Sequence, residues 1–73
     1  MIEISRQTTI FELTNQYPNI KEILFELGFS DIIKPGMMQT AGRVMTLEKG
    51  SKMKKIPIEV IEQKFSEYGY SLI

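Results

Sequence analysis

A chain of 73 residues with neither cysteine nor histidine has to hold itself together by side-chain packing alone. A domain this small buries only about 60% of the surface its unfolded chain exposes. Such domains usually add disulfides, metals or association to their cores. Disulfides are excluded here and metals have few ligands to draw on, so self-association or a partner is the expected staple. The same absence removes most chemistry: no thiolate nucleophile, dithiol couple, iron–sulfur site, zinc cage or imidazole base can be assembled. The length allows one domain, taken as residues 1–73. No signal-like segment opens the chain, and no apolar run approaches the roughly 20 residues needed to span a bilayer. The expectation is a cytoplasmic, non-enzymatic protein without a cofactor.

Local signals divide the chain into short helices. Thr9-Ile10-Phe11-Glu12 is a capping-box pattern, and Ile10, Leu13 and Tyr17 follow at helical spacing, which predicts a helix over Ile10–Gln16. Pro18 interrupts it. Asn19 is placed to cap a second helix, where Ile20, Ile23, Leu24 and Leu27 form an amphipathic stripe. Gly28 and Phe29 then read as a Schellman-type end. Met37–Val44 is expected as a short helix weakened by Gly42. Thr46 is expected to cap another, weakened by Gly50. Pro57 is placed at the first position of a last helix, whose buried stripe is Ile58, Ile61, Phe65 and Tyr68 and which Gly69 ends. The expected fold is all-α, a compact array of four or five short helices. The alternating ends, Ile2–Ile4 and Tyr70–Ile73, leave open a tiny two-stranded ribbon joining the termini.

Two phenylalanines fall off these stripes, Phe11 by about 100° and Phe25 by about 140° around their helices. Central helices buried on two sides are the favoured explanation. A second apolar face for dimerisation or docking is the other.

Charge is balanced overall but not along the chain. Arg6 and Lys21 against Glu3, Glu12, Glu22, Glu26 and Asp31 leave residues 1–33 at −3. Lys34, Arg43, Lys49, Lys52, Lys54 and Lys55 against Glu48 leave residues 34–55 at +5. Lys64 against Glu59, Glu62 and Glu67 leaves residues 56–73 at −2. This acidic–basic–acidic layout suggests self-complementarity, with the basic middle packed near two acidic helices.

The run Tyr17-Pro18-Asn19-Ile20-Lys21-Glu22-Ile23-Leu24-Phe25-Glu26-Leu27-Gly28-Phe29 resembles the hybrid-cluster-protein-associated redox disulfide domain. That small helical domain is related to the N-terminal domain of ScdA-type iron–sulfur repair proteins. In the family, a Tyr-Pro helix ending in Leu-Gly-Phe is followed by C-x-x-C-P. Thr46-Leu47-Glu48 and the helix from Pro57 to Tyr68 also have counterparts there. Aligned on Gly28-Phe29, the two cysteines fall on Asp31 and Lys34, and the proline on Pro35. The resemblance therefore implies the fold without the redox activity, and Asp31 with Lys34 could form an exposed ion pair in place of the thiols. Within that family the chain looks like cysteine-free, stand-alone bacterial versions of unknown function, from low-GC Gram-positive species. They share the Thr40-Ala41-Gly42-Arg43 and Lys49-Gly50-Ser51-Lys52 neighbourhoods. Relatives fused or adjacent to PAS-like and hemerythrin-like modules imply a regulatory setting and a partner of that kind.

Within the basic segment, five cations in residues 43–55 would neutralise phosphates. No aromatic lies between Ile32 and Lys64 to stack bases, however, which argues against nucleic acid. The glycines do not match a phosphate-loop pattern, since Lys52 follows Ser51. Met37, Met38, Met45 and Met53 read as core filler or an adaptable apolar surface rather than a copper site. Glu22 and Glu26 read as a solvated helix face. A Ser51–Lys54 catalytic pair would need a buried, deprotonated lysine. The leading expectation is a protein-interaction or regulatory domain, open to homodimerisation. Its contact surface would combine Phe25, Phe29, Met37 and Met38 with Arg43, Lys49, Lys52, Lys54 and Lys55. The alternative is a small-ligand or anion-binding module using the basic segment 43–55, with Arg43, Lys49 and the Thr46 helix start as donors.

Overall fold

The stop signals in the sequence cut the chain into five short helices between two three-residue strands. The computed structural model describes residues 1–73, in the order β1 (Ile2–Ile4), α1 (Ile10–Gln16), α2 (Ile20–Leu27), α3 (Pro35–Gln39), a 3₁₀ turn (Ala41–Arg43), α4 (Leu47–Lys54), α5 (Ile58–Glu67) and β2 (Tyr70–Leu72). The capping threonines act as their patterns require. Thr9 Oγ1 accepts the Glu12 N–H at 3.2 Å and Thr46 Oγ1 accepts the Lys49 N–H at 3.1 Å. The two threonines also form an antiparallel bridge with each other. Ile10 N–H donates to Met45 O at 2.8 Å and Glu48 N–H to Arg6 O at 3.2 Å. The starts of α1 and α4 are thereby locked together, and each feeds on the other's flanking carbonyls.

Helix α2 ends as expected. Gly28 takes φ 99°, and Phe29 N–H donates to Leu24 O at 2.9 Å, a Schellman closure. Its start differs from expectation. Asn19 is already helical and makes no side-chain cap bond. Its Oδ1 instead accepts the Tyr70 hydroxyl at 2.7 Å, tying α2 to β2. The expected helix over Met37–Val44 is two pieces. Lys34 is extended, as a residue before proline should be, and Pro35 restarts the helix two residues early. Thr40 breaks it, and the Thr40 hydroxyl donates back to Gly36 O at 3.0 Å. In α5, Pro57 is the cap and Ile58 the first helical residue.

The ends of the chain do pair, in parallel: Ile2 with Tyr70, Glu3 with Ser71 and Ile4 with Leu72. Arg6 latches the ribbon, donating its N–H to Ile73 O at 3.0 Å and its Nη2 to Glu62 Oε1 at 2.8 Å. Thirteen buried residues make one core, with Ile10, Leu13, Ile20, Ile23, Leu24, Leu47, Ile61 and Phe65 almost wholly enclosed. Tyr70 stacks edge-on against Tyr17 and Phe65, with ring centroids 5.4 and 6.2 Å apart.

One member of the expected stripes is displaced by a polar partner. Tyr68 is 39% exposed, because its hydroxyl reaches Glu26 rather than the core. Lys64 holds the other oxygen of Glu26 at 2.9 Å, so Glu26, Lys64 and Tyr68 clip α2 to α5. Phe25 is 62% exposed, so α2 is not buried on two sides. Phe11 is half-buried beneath Arg43, whose guanidinium carbon lies 4.3 Å from the ring centroid.

The clip carries a pH signature. The Tyr68 hydroxyl, and then Lys64, hold the Glu26 carboxyl below its ordinary value of 4.5. The hydrogen bond to Glu26 raises Tyr68 above 10.0 and Lys64 above 10.5. The contribution of Glu26 is therefore present above pH 4.5 and lost as pH falls through its lowered folded value. The contributions of Tyr68 and Lys64 are present below pH 10.0 and lost as pH rises through their raised values. In thermal unfolding followed by circular dichroism, the parent's advantage over Glu26→Gln should be level between these limits and shrink beyond both.

A second expectation concerns Gly50. A β-carbon there would lie 2.8 Å from Phe29 Cε1, and that ring is buried. Overpacking costs about 1–3 kcal/mol, against roughly 1 kcal/mol gained in helix propensity. Gly50→Ala should therefore lower the urea unfolding free energy, with a net loss of about 1 kcal/mol.

Candidate docking groove

Phe29 connects the end of α2 to the surface. Its ring lies against Gly50, where the missing side chain lets α4 approach. The turn after Phe29 brings up Ile32 and Asp31, α3 adds Met37, and the 3₁₀ turn adds Ala41. Met45 stands before the Thr46 cap, and α4 contributes Met53 and Lys54. Together they wall a groove of ≈ 400 Å³ that is apolar along its floor and sides, with Asp31 and Lys54 at the rim. Met53 is 62% exposed, an unbranched thioether standing free beside an apolar cleft.

The structure redistributes the expected contact surface. Phe29 and Met38 are only 4% and 7% exposed, so both belong to the core rather than to an open face. Phe29 still walls the groove from beneath. Met38 is drawn inward instead, its sulfur accepting the Thr14 hydroxyl at 3.5 Å. It borders a smaller hollow with Phe11 and Pro35. Met37 is exposed and lies in the groove. Phe25 lies outside it, over a separate shallow hollow with Lys21, Glu22, Glu26 and Ile33. Asp31 and Lys34 form an exposed ion pair at 3.5 Å.

The cations divide as well. Arg43 is spent on Phe11 and on Gln39, whose Oε1 accepts from its Nη2 at 3.3 Å. Lys49 donates its Nζ to Val44 O at 3.3 Å. Lys52, Lys54 and Lys55 are exposed and take part in no ion pair. Lys52 and Lys54 diverge, about 100° to either side of Met53 around the helix, so only Lys54 faces the groove. The expected anion cradle at the Thr46 helix start is also spoken for. Its Glu48 and Lys49 N–H groups already donate to Arg6 O and Thr46 Oγ1. No group of three or more acidic side chains is placed to hold a metal ion, and no helix is long and apolar enough to cross a membrane.

Sequence reading missed Ile32 and Ala41 as walls of the site, and offered Met53 only as core filler or an adaptable apolar surface. The fit of Phe29 against Gly50 brings α4 up to the turn, and nothing in local spacing announces that contact.

Lys55 is unusual. It ends α4 in the left-handed region, φ 57° and ψ 37°, and no other non-glycine residue has a positive φ. Ile56 N–H donates to Ser51 O at 3.0 Å, the same closure that Gly28 and Phe29 make at the end of α2. One helix end uses glycine and the other a lysine.

A family model described as "Domain of unknown function (DUF1858)" matches residues 4–61. The chain belongs to the DUF1858 family. The matched stretch of the DUF1858 domain contains every residue of the groove and stops before β2. The chain is similar to a solved structure, "The crystal structure of the conserved domain protein from Streptococcus pneumoniae TIGR4", with 33% sequence identity and a TM-score of 0.92. That match covers 100% of this chain and 92% of the other. No curated protein matches the chain.

A left-handed conformation costs a non-glycine residue roughly 1–2 kcal/mol, and glycine's extra unfolded-state entropy returns part of that. Lys55→Gly in this DUF1858 domain should therefore raise the unfolding free energy by about 0.5–1 kcal/mol in urea titration.

Proposed function

We propose that this chain is a non-enzymatic protein-interaction or regulatory domain, and that the methionine-walled groove is its docking face. The observation that carries the reading is the groove itself, an apolar cleft with Met37 and Met53 exposed at its sides. Thioether walls adapt to different apolar side chains at little cost, which suits a surface that receives a segment of another protein. Lys54 at the rim favours an acidic group beside the docked apolar ones.

The resemblance to the redox disulfide domain supports a regulatory setting. Asp31 and Lys34 stand where a dithiol would be, so this branch would keep the scaffold and work through contact rather than electron transfer. On that analogy the partner is a PAS-like or hemerythrin-like regulatory protein. The anion-binding alternative draws less support, since the α4 start, Arg43 and Lys49 are already engaged within the fold.

The test is an affinity capture from source-cell lysate with immobilised parent and Met53→Asp. Because Met53 is largely exposed, the variant should remain folded by circular dichroism. The expected outcome is one protein retained by the parent and depleted at least tenfold by the variant. Equal retention of every protein by both forms would remove the groove as the docking face.

A further inference from the structure

Two features of the surface are unaccounted for by the fold. One is the apolar groove, which opens to solvent beside Met37 and Met53. The other is Phe25, an aromatic side chain left 62% exposed on an acidic helix, with Glu22 and Glu26 within one turn of it. Glu26 is already held by Lys64 and Tyr68, while Glu22 has no ion-pair partner. Lys54 at the groove rim has none either.

We infer that the occupant of the groove is a second copy of this chain. Phe25 of each copy enters the groove of the other, and Glu22 of each meets Lys54 of the other. This inference rests on the reading of the groove as a docking face and names what docks there.

The charge layout supports the assignment. The chain is acidic, basic and acidic in turn, and the basic middle was expected to pack against the acidic helices. Within one molecule it does pack there, the 3₁₀ turn on α1 and α4 on α5, yet none of its cations pairs with an acid of those helices. The long-range ion pairs, Arg6–Glu62 and Lys64–Glu26, join the first and last segments and bypass residues 43–55 altogether. The complementarity is left to be used between molecules. Knob and groove are also well placed for closure. Phe25 stands one helical turn before Phe29, which walls the groove, so the two features flank the same Gly28–Lys34 turn. A two-fold axis near that turn lets both phenylalanines insert at once. Each contact then occurs twice, and the pair closes instead of extending into a fibre. An aromatic anchor in an apolar pocket with a charge pair at its edge is the usual form of an energetic centre in a small interface.

Sedimentation equilibrium tests the inference on the parent, Phe25→Ser, Glu22→Lys, Lys54→Glu and the Glu22→Lys/Lys54→Glu double variant. All three positions are exposed, and circular dichroism of each form checks folding. The parent's apparent mass should rise with concentration from 8.4 kDa toward twice that value. Each single variant should weaken association at least tenfold, and the double variant should recover most of the loss because the swapped charges again face each other. A parent that stays monomeric into the millimolar range would overturn self-pairing. So would a dimer indifferent to Phe25→Ser, or a double variant no better than the singles. A monomeric parent that still loses a lysate protein on Met53→Asp would end this inference and keep the docking face. A dimer that answers to these variants, with no lysate protein captured, would keep the inference and end the search for a foreign partner.

Discussion

The contact between Phe29 and Gly50 is the constraint on which the rest depends. A buried aromatic ring occupies the space a side chain at residue 50 would need. The close approach fixes α4 against the turn that leaves α2. That placement brings Met45 and Met53 opposite Ile32 and Met37, and without it the groove would have no second wall. A glycine inside a helix weakens it, so this helix accepts a local loss for a long-range fit. The twin threonine caps supply the other half of the positioning, since α1 and α4 start back to back.

The parts of the fold legible in the sequence are those decided within a few residues. Thr9, Thr46 and Gly28 carry their instructions in their immediate neighbours, and the helices they bound are where the pattern puts them. What escaped notice was decided across the fold. Asn19 had two competing hydrogen-bond roles, and the one taken depends on Tyr70, which is fifty-one residues away. Tyr68 sits at core spacing, yet its hydroxyl found Glu26 and kept the ring outside. The site was legible in its ingredients but not in its assembly. Methionines and lysines stood out by number, whereas the sorting of Phe29 and Met38 into the core and of Met53 into the groove needed the packed structure.

Lys55 adds a different kind of information. Three helices end in a left-handed residue, and two of them use glycine for it, Gly28 and Gly69. A lysine in the third place is a poor choice for the turn and a good one for keeping charge next to Lys54.

The parallel pairing of β1 with β2 has a mechanical meaning. The first strand enters the ribbon at one end and the last strand leaves it at the other, with Arg6 bonded to Ile73 alongside. Tension applied between the two ends would slide the strands past each other and load every rung together, instead of peeling them singly. A domain tethered at both ends would thus meet a pull with its ribbon in shear, and the helices behind it would feel the force only after the whole ladder had given way.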